Sequence, residues 1–118
     1  MPMLERTQAR RQALHILYQR EITGDAVSRI LDEHSWSPED GEPLGFCRDL
    51  VSGVESHLGA LDSALEEISE NWVVSRMPLV DRNILRPAAY EILYLDDVPD
   101  SVSINEAVEL AKAYGGDD

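Results

Sequence analysis

The chain has 118 residues, which fits one domain over residues 1–118 that can bury an apolar core without metals or disulfides. Acidic residues outnumber basic ones by 23 to 10, and the formal net charge is −13. This charge argues against a general nucleic-acid binder, because most of the surface repels phosphate. The single cysteine, Cys47, excludes an internal disulfide and favours a reducing cytoplasm, and no apolar run is long enough to span a membrane.

The apolar pattern of residues 4–22 predicts a helix. Its positive charge is unusual for this acidic chain, because the first twenty residues contain four arginines and one glutamate. The helical period predicts two apolar stripes on different sides of the helix, with His15 at the edge of the second. The core stripe is Ala9, Ala13, Ile16 and Leu17, and the second stripe is Arg11, Leu14, Tyr18 and Ile22. The helix is therefore either buried on two sides with snorkelling arginines, or it offers the second stripe and its basic residues to a partner and to nucleic acid.

The middle of the chain alternates helices with turns. Helical periodicity indicates three further helices, over residues 26–33, 44–57 and 58–68. The segment 34–43 contains two prolines and a glycine, which predicts a loop, with Trp36 as a plug over the core. Gly53 would weaken a helix unless another helix crosses closely there, so we expect such a crossing.

The last third of the chain predicts the central core helix over residues 79–95, with Pro87 introducing a kink. The segment 69–77 before it is ambiguous and could form a short helical turn. Ser103 and Glu106 fit a capping box at the start of the last helix, whose apolar face ends at a tyrosine before two glycines. No segment alternates with period two, so the sequence predicts an all-α fold.

The histidines, the cysteine and the glycines of the chain show no pattern typical of a catalytic centre. The three histidines lack metal-ligand spacing, Cys47 lies in no nucleophile motif, and no glycine-rich phosphate loop is present. Arg86 is predicted to form an internal ion pair with Glu91 or Glu106. We therefore expect no enzyme, no cofactor and no metal.

Nearly the whole chain is covered by four segments, which in order are ARRQALHILY, FCRDLVSGV, VDRNILRPAAYEILY and DVPDSVSINEAVELAKAYG. Together they resemble the NusB family of bacterial transcription antitermination factors. The resemblance implies an all-helical bundle of two packed three-helix halves. It also implies binding of single-stranded boxA-type RNA in ribosomal RNA leader transcripts, together with the small-subunit ribosomal protein NusE, in the RNA polymerase antitermination complex.

The same resemblance implies residues for both kinds of contact. The implied RNA-binding residues are Arg6, Arg10, Arg11 and Asp118, and the implied partner-binding residues are Tyr18, Ile22 and Asp81. We expect the arginine side chains to reach outward, because a guanidinium group can grip a phosphate or stack on an exposed base. Members of the family can self-associate, and the second apolar stripe would permit a homodimer.

Two departures from the family pattern stand out. Pro87 replaces an aliphatic residue, and the family continues after the final acidic pair with a further helix, which this chain is expected to lack. Two other functions remain open from the sequence. One is a NusB-like RNA-binding domain related to those fused to ribosomal RNA methyltransferases, and the other is an acidic helical protein-interaction module without an RNA role.

Overall fold

The described part of the protein contains six α-helices. The structure, a computed structural model, describes residues 2–69 and 73–115, with side chains from residue 4 onward. The helices are α1 (Pro2–Thr23), α2 (Val27–Asp32), α3 (Gly45–Ser56), α4 (Leu58–Ile68), α5 (Leu79–Tyr94) and α6 (Asp100–Tyr114), and short 3₁₀ turns cover Pro38–Asp40 and Val74–Arg76. No strand occurs among the described residues, so the all-α prediction is confirmed.

The helices pack as two groups of three, as expected from the family resemblance. In the first group α1, α2 and α3 pack on one another, and in the second α4 and α6 both pack on α5. Helix α5 also packs along α1 and α3, and therefore joins the two groups. The arginine-rich helix α1 lies at this junction, so one of its sides is committed to the fold.

The core stripe of α1 lies at the centre of the larger apolar cluster. Ala9, Ala13, Ile16 and Leu17 are each at most 2% exposed, which confirms the prediction. Their buried neighbours come from α2, α3 and α4 and are Val27, Ile30, Cys47, Leu50, Val51, Val54 and Leu61. Fully burying one leucine or isoleucine side chain stabilises a fold by about 1.5–3 kcal/mol, so this stripe fixes the rotation of α1.

Two predicted packing details are confirmed. Helix α3 crosses α5 closely at Gly53, where an added Cβ atom would overlap the ring of Tyr90. Trp36, in the loop after α2, is half-buried, packs against the core and stacks on His34 with ring centroids 4.9 Å apart. The Gly53 crossing explains a residue that helix propensity alone would disfavour, and the Trp36 contacts explain a large apolar side chain in a loop.

Two predictions for the second half are wrong. Helix α6 begins at Asp100, so Ser103 lies inside it and does not cap it. The Ser103 hydroxyl is buried and donates a hydrogen bond of 2.7 Å to Glu91. Arg86 pairs with neither Glu91 nor Glu106, because those two carboxylates bind an arginine of α1.

A network of charged side chains ties α1 to α4 and α5. Arg86 donates to Asp62 at 2.8 and 2.9 Å and to Glu21 at 3.0 Å. Arg82 and Asn83 also donate to Glu21, at 2.6 and 2.8 Å. Burial by itself raises the pKa of Glu21, but the hydrogen bonds from Arg82 and Asn83 and the attraction to Arg82 and Arg86 together outweigh it, so the pKa of that carboxyl is lowered.

An open apolar groove of about 570 Å³ lies between α4, α5 and α6. Its lining includes Leu65, Met77, Leu85 and Val108, and the last two are 36% and 45% exposed. No helix in the described part of the chain is both long enough and apolar enough to cross a membrane.

Candidate functional site

One side of α1 is exposed to solvent from residue 4 to residue 22. Its residues lie three or four positions apart, so they stack above one another on one face. This exposed stripe consists of Leu4, Gln8, Arg11, His15, Tyr18 and Ile22. Leu4, Tyr18 and Ile22 are 68%, 38% and 59% exposed. The second stripe predicted from the sequence is therefore a surface, and Leu14 is its one buried member.

The arginines predicted to contact RNA point in different directions. Arg11 is exposed on the stripe, whereas Arg6 turns towards the start of α6, where it lies 3.2 Å from Asp97. The Arg6 guanidinium also covers the ring of Phe46 at 4.4 Å from its centroid. Arg6 and Arg11 are five positions apart and so point about 140° away from each other around the helix. The three arginines therefore do not form one basic cluster.

Arg10 is enclosed between α5 and α6. Its guanidinium donates to both carboxylate oxygens of Glu91 at 2.8 and 2.9 Å and lies 3.3 Å from Glu106. Burial lowers the pKa of Arg10, but its hydrogen bonds and attraction to Glu91 and Glu106 outweigh burial, and the pKa is raised. The expectation that this side chain reaches outward is wrong, since the residue is only 6% exposed. Its assignment as an RNA contact stays a prediction.

Most basic residues of the chain are already paired with carboxylates. Of the lysines and arginines that the structure describes, only Arg11 and Arg76 make no ion pair. Arg76 lies in the turn between α4 and α5, and both residues are exposed. Arg11 is thus the one arginine of α1 whose charge is free for an external phosphate.

The end of α6 lies beside the exposed stripe. The ring of His15 meets the ring of Tyr114 edge-on, with centroids 5.1 Å apart and an interplanar angle of 87°. His15 Nδ1 also lies 2.9 Å from a carboxylate oxygen of Asp40. The sequence did not predict the contact between His15 and Tyr114, because the two residues lie on different helices. The sequence did show that His15 lies one helical turn after Arg11. Asp118, the fourth predicted RNA contact, lies outside the described residues.

The predicted partner residues come from two helices that an ion pair holds together. Tyr18 and Ile22 lie one turn apart on the exposed stripe. Asp81 is half-buried in the first turn of α5, next to Arg82, which binds Glu21 at 2.6 Å. Because Glu21 precedes Ile22, this ion pair brings the start of α5 to the carboxyl end of α1. The role of these residues in partner binding stays a prediction.

Four matches to known proteins cover nearly the whole chain. The sequence model of the NusB family matches residues 7–118. Transcription antitermination protein NusB of Desulfitobacterium hafniense is 42% identical over 118 residues, which are 98% of this chain and 80% of the relative. T. maritima NusB superposes with a TM-score of 0.78 at 32% identity, covering 95% of this chain and 80% of that one. A structure of the antitermination factors NusB and NusE in complex with dsRNA shares the fold, with a TM-score of 0.73 at 24% identity over 95% of this chain and 84% of that chain.

Proposed function

Since the chain belongs to the NusB family, we propose that it is a bacterial transcription antitermination factor that binds RNA together with NusE. Its relatives are named transcription antitermination proteins, and the structure of a protein of the same fold has been determined in complex with NusE and RNA. We assign it boxA-type RNA of ribosomal leader transcripts as ligand and the RNA polymerase antitermination complex in the cytoplasm as its place of action. The chain acts as a single binding domain without catalytic chemistry.

The exposed stripe of α1 is the observation that carries this proposal. Arg11 lies in the amino-terminal half of the stripe, and Tyr18 and Ile22 lie in its carboxyl-terminal half on the same face. Tyr18 follows Arg11 by seven positions, which corresponds to about 10 Å along the helix axis. RNA bound at Arg11 and a protein bound at Tyr18 would therefore lie side by side.

The charge of the protein makes the partner important for RNA affinity. The net charge is −13, and α1 offers one unpaired arginine to a phosphate. The screening length at physiological salt is about 8 Å, and a basic partner bound at Tyr18 and Ile22 would lie at about this distance from Arg11. Its positive charge would therefore still attract RNA bound at Arg11. We therefore expect weak, salt-sensitive binding of RNA by the protein alone and stronger binding with NusE.

A salt titration of RNA affinity in the presence of NusE tests the RNA site. The variants are Arg11→Ala and the control Arg76→Ala, which both remove one exposed charge and break no ion pair between described residues. Arg11→Ala should weaken binding and reduce the slope of log affinity against log salt by about 0.7 if it loses one single-strand phosphate contact. Arg76→Ala should keep the wild-type slope. Equal affinities and slopes for all three proteins would refute an RNA site on the exposed stripe.

The same titration should compare single-stranded RNA with a duplex of the same sequence. We propose the single strand as ligand, because a guanidinium group can stack on an unpaired base but cannot reach bases inside an RNA duplex. The related NusB–NusE complex contains double-stranded RNA, so tighter binding of the duplex by this protein would contradict our choice.

Binding of NusE to Tyr18→Ala tests the partner surface, with Tyr94→Ala as control. The two tyrosines are 38% and 41% exposed, but Tyr94 lies on α5, where its ring contacts His57 and Tyr90. A tyrosine at the centre of an interface often contributes about 2 kcal/mol, so Tyr18→Ala should weaken binding roughly 30-fold. Ile22 and Asp81 would flank this contact. Unchanged affinity per folded molecule, with lowered stability, would show that Tyr18 serves the fold.

The exposed apolar members of the stripe also favour a homodimer as an alternative use of this face. Leu4, Tyr18 and Ile22 would pair across a two-fold axis, and NusE would compete for the same surface. Sedimentation should then show a dimer that NusE dissociates.

NusE binding without any effect on RNA affinity would instead favour the acidic interaction module.

A further inference from the structure

We infer that Tyr114 and His15 form a stacking platform for one unpaired RNA base, beside the phosphate contact of Arg11. The inference rests on the proposed RNA-binding function and adds a base contact to it. Aromatic side chains that stack on splayed bases are a common means of binding single-stranded RNA, and they work with arginines that hold the backbone.

The aromatic pair is exposed and held in position. Tyr114 is the last residue of α6 and is 40% exposed, although it is large and partly apolar. The His15 side chain is 32% exposed, and its ring is oriented by Asp40 on one side and by the edge-on contact with Tyr114 on the other. A base that stacks here would meet rings with little freedom left to lose, which reduces the entropic cost of binding.

Arg11 lies next to this pair. It is one helical turn before His15 on the same face, and side chains at this spacing have Cβ atoms about 5–6 Å apart. The Asp40 carboxylate beside His15 would repel a phosphate but tolerate an uncharged base. The arrangement therefore assigns the phosphate to Arg11 and the base to the aromatic pair.

A second aromatic cluster in the protein contains a similarly exposed tyrosine, but the arginines of its helix are all paired with carboxylates. Tyr94 is 41% exposed and, like Tyr114, contacts a histidine, His57, with ring centroids 4.2 Å apart, although the rings are tilted by 39° and Tyr94 also stacks on Tyr90. Its own helix, α5, carries two arginines, and both are bound to carboxylates. Tyr94 is thus a matched control of the same residue type, similar exposure and similar neighbour.

The test measures affinity for a short boxA-type single strand with NusE present, using Tyr114→Leu, Tyr114→Phe and Tyr94→Leu. Tyr114→Leu should bind about tenfold more weakly with an unchanged salt slope, because a stacked base and not a phosphate is lost. Tyr114→Phe keeps the ring and should bind like the wild type, as should Tyr94→Leu. The melting temperature of each variant checks its folding.

Oligomers that lack one base at a time locate the stacked nucleotide. One of these oligomers should bind the wild type about tenfold more weakly than the intact strand does. The same oligomer and the intact strand should bind Tyr114→Leu equally well, because the stacking contact is already lost in that variant. Equal binding of all these oligomers to the wild type would overturn the platform, whatever the variants do.

The outcomes separate this inference from the proposed function. Wild-type affinity of Tyr114→Leu, with weakened binding by Arg11→Ala, would overturn the platform and leave the RNA function standing. Absence of RNA binding by the wild type with NusE at low salt would overturn both. Weaker binding of NusE to Tyr114→Leu without RNA would show that Tyr114 is a protein contact, which also overturns the platform.

Discussion

Replacing Arg10 with alanine separates a structural arginine from an RNA-binding one. The side chain is 6% exposed and grips Glu91 through two hydrogen bonds of 2.8 and 2.9 Å. Glu91 is 1% exposed, and its remaining described donor is the hydroxyl of Ser103. The variant would therefore leave a buried carboxylate without its cation.

Removing one partner of a buried ion pair typically costs about 3–5 kcal/mol, because the other charge remains buried and unpaired. We expect about 3 kcal/mol for Arg10→Ala, since Glu91 keeps one hydrogen bond and Arg10 also contacts the partly exposed Glu106. In a domain of this size such a loss lowers the melting temperature by roughly 10 °C. Urea unfolding followed by circular dichroism gives the free energy, and RNA affinity is measured below the transition.

The control is Arg29→Ala on α2, which breaks two exposed ion pairs, with Asp25 and Glu33, and should change stability by no more than about 0.5 kcal/mol. The double variant Arg10→Met with Glu91→Leu should recover much of the loss, because no buried charge remains. Unchanged stability of Arg10→Ala together with a reduced salt slope for RNA would refute our reasoning and make Arg10 an external ligand.

Three further predictions follow from packing and charge. Gly53→Ala should destabilise by about 1–3 kcal/mol because its methyl group meets the ring of Tyr90, whereas Gly59→Ala, which meets nothing within 4 Å, should be neutral or stabilising in urea unfolding. Burial raises the pKa of Cys47 to about 12, so a thiol reagent at pH 8 should react with unfolded but not native protein. The pKa of Glu21 is lowered from 4.5, so its stabilising contribution is present above pH 4.5 and is lost as pH falls through the folded value. The stability gap between wild type and Glu21→Gln should therefore shrink in acid, and a constant gap would contradict the assigned ion pairs.

The helices could be predicted from the sequence because their apolar residues repeat with the helical period. The fourth helix was predicted at residues 58–68, and the structure has Leu58–Ile68. Gly53 was informative for a different reason, since a residue that weakens a helix needs a compensating contact, and the ring of Tyr90 supplies the reason. Both predictions use information within a few residues of the position concerned.

The partners of polar side chains could not be predicted in this way. Arg10 donates to Glu91 although 81 positions separate them in the chain, and Ser103 donates to the same carboxylate from α6. With 23 acidic residues available, local sequence does not select which one an arginine will bind. Ser103 and Glu106 matched a capping box by spacing, but the helix starts earlier, directly after Pro99. The fixed φ of proline suits the start of a helix, and the negative charge of Asp100 in the first turn is stabilised by the helix dipole.

The arginine content of α1 therefore overstates the basic surface that the helix presents. Arg10 and Arg20 are balanced by Glu91 and Glu55 at 2.8 and 2.9 Å, and a pair at such distances contributes little potential beyond its own neighbourhood. These arginines tie α1 to α5 and α3, so their replacement should lower stability without altering the salt slope of RNA binding. Arg11 should do the reverse, because it has solvent in place of a carboxylate. The same helix can then serve the fold with its paired arginines and a phosphate with its unpaired one, and the remaining affinity must come from stacked bases and from the partner.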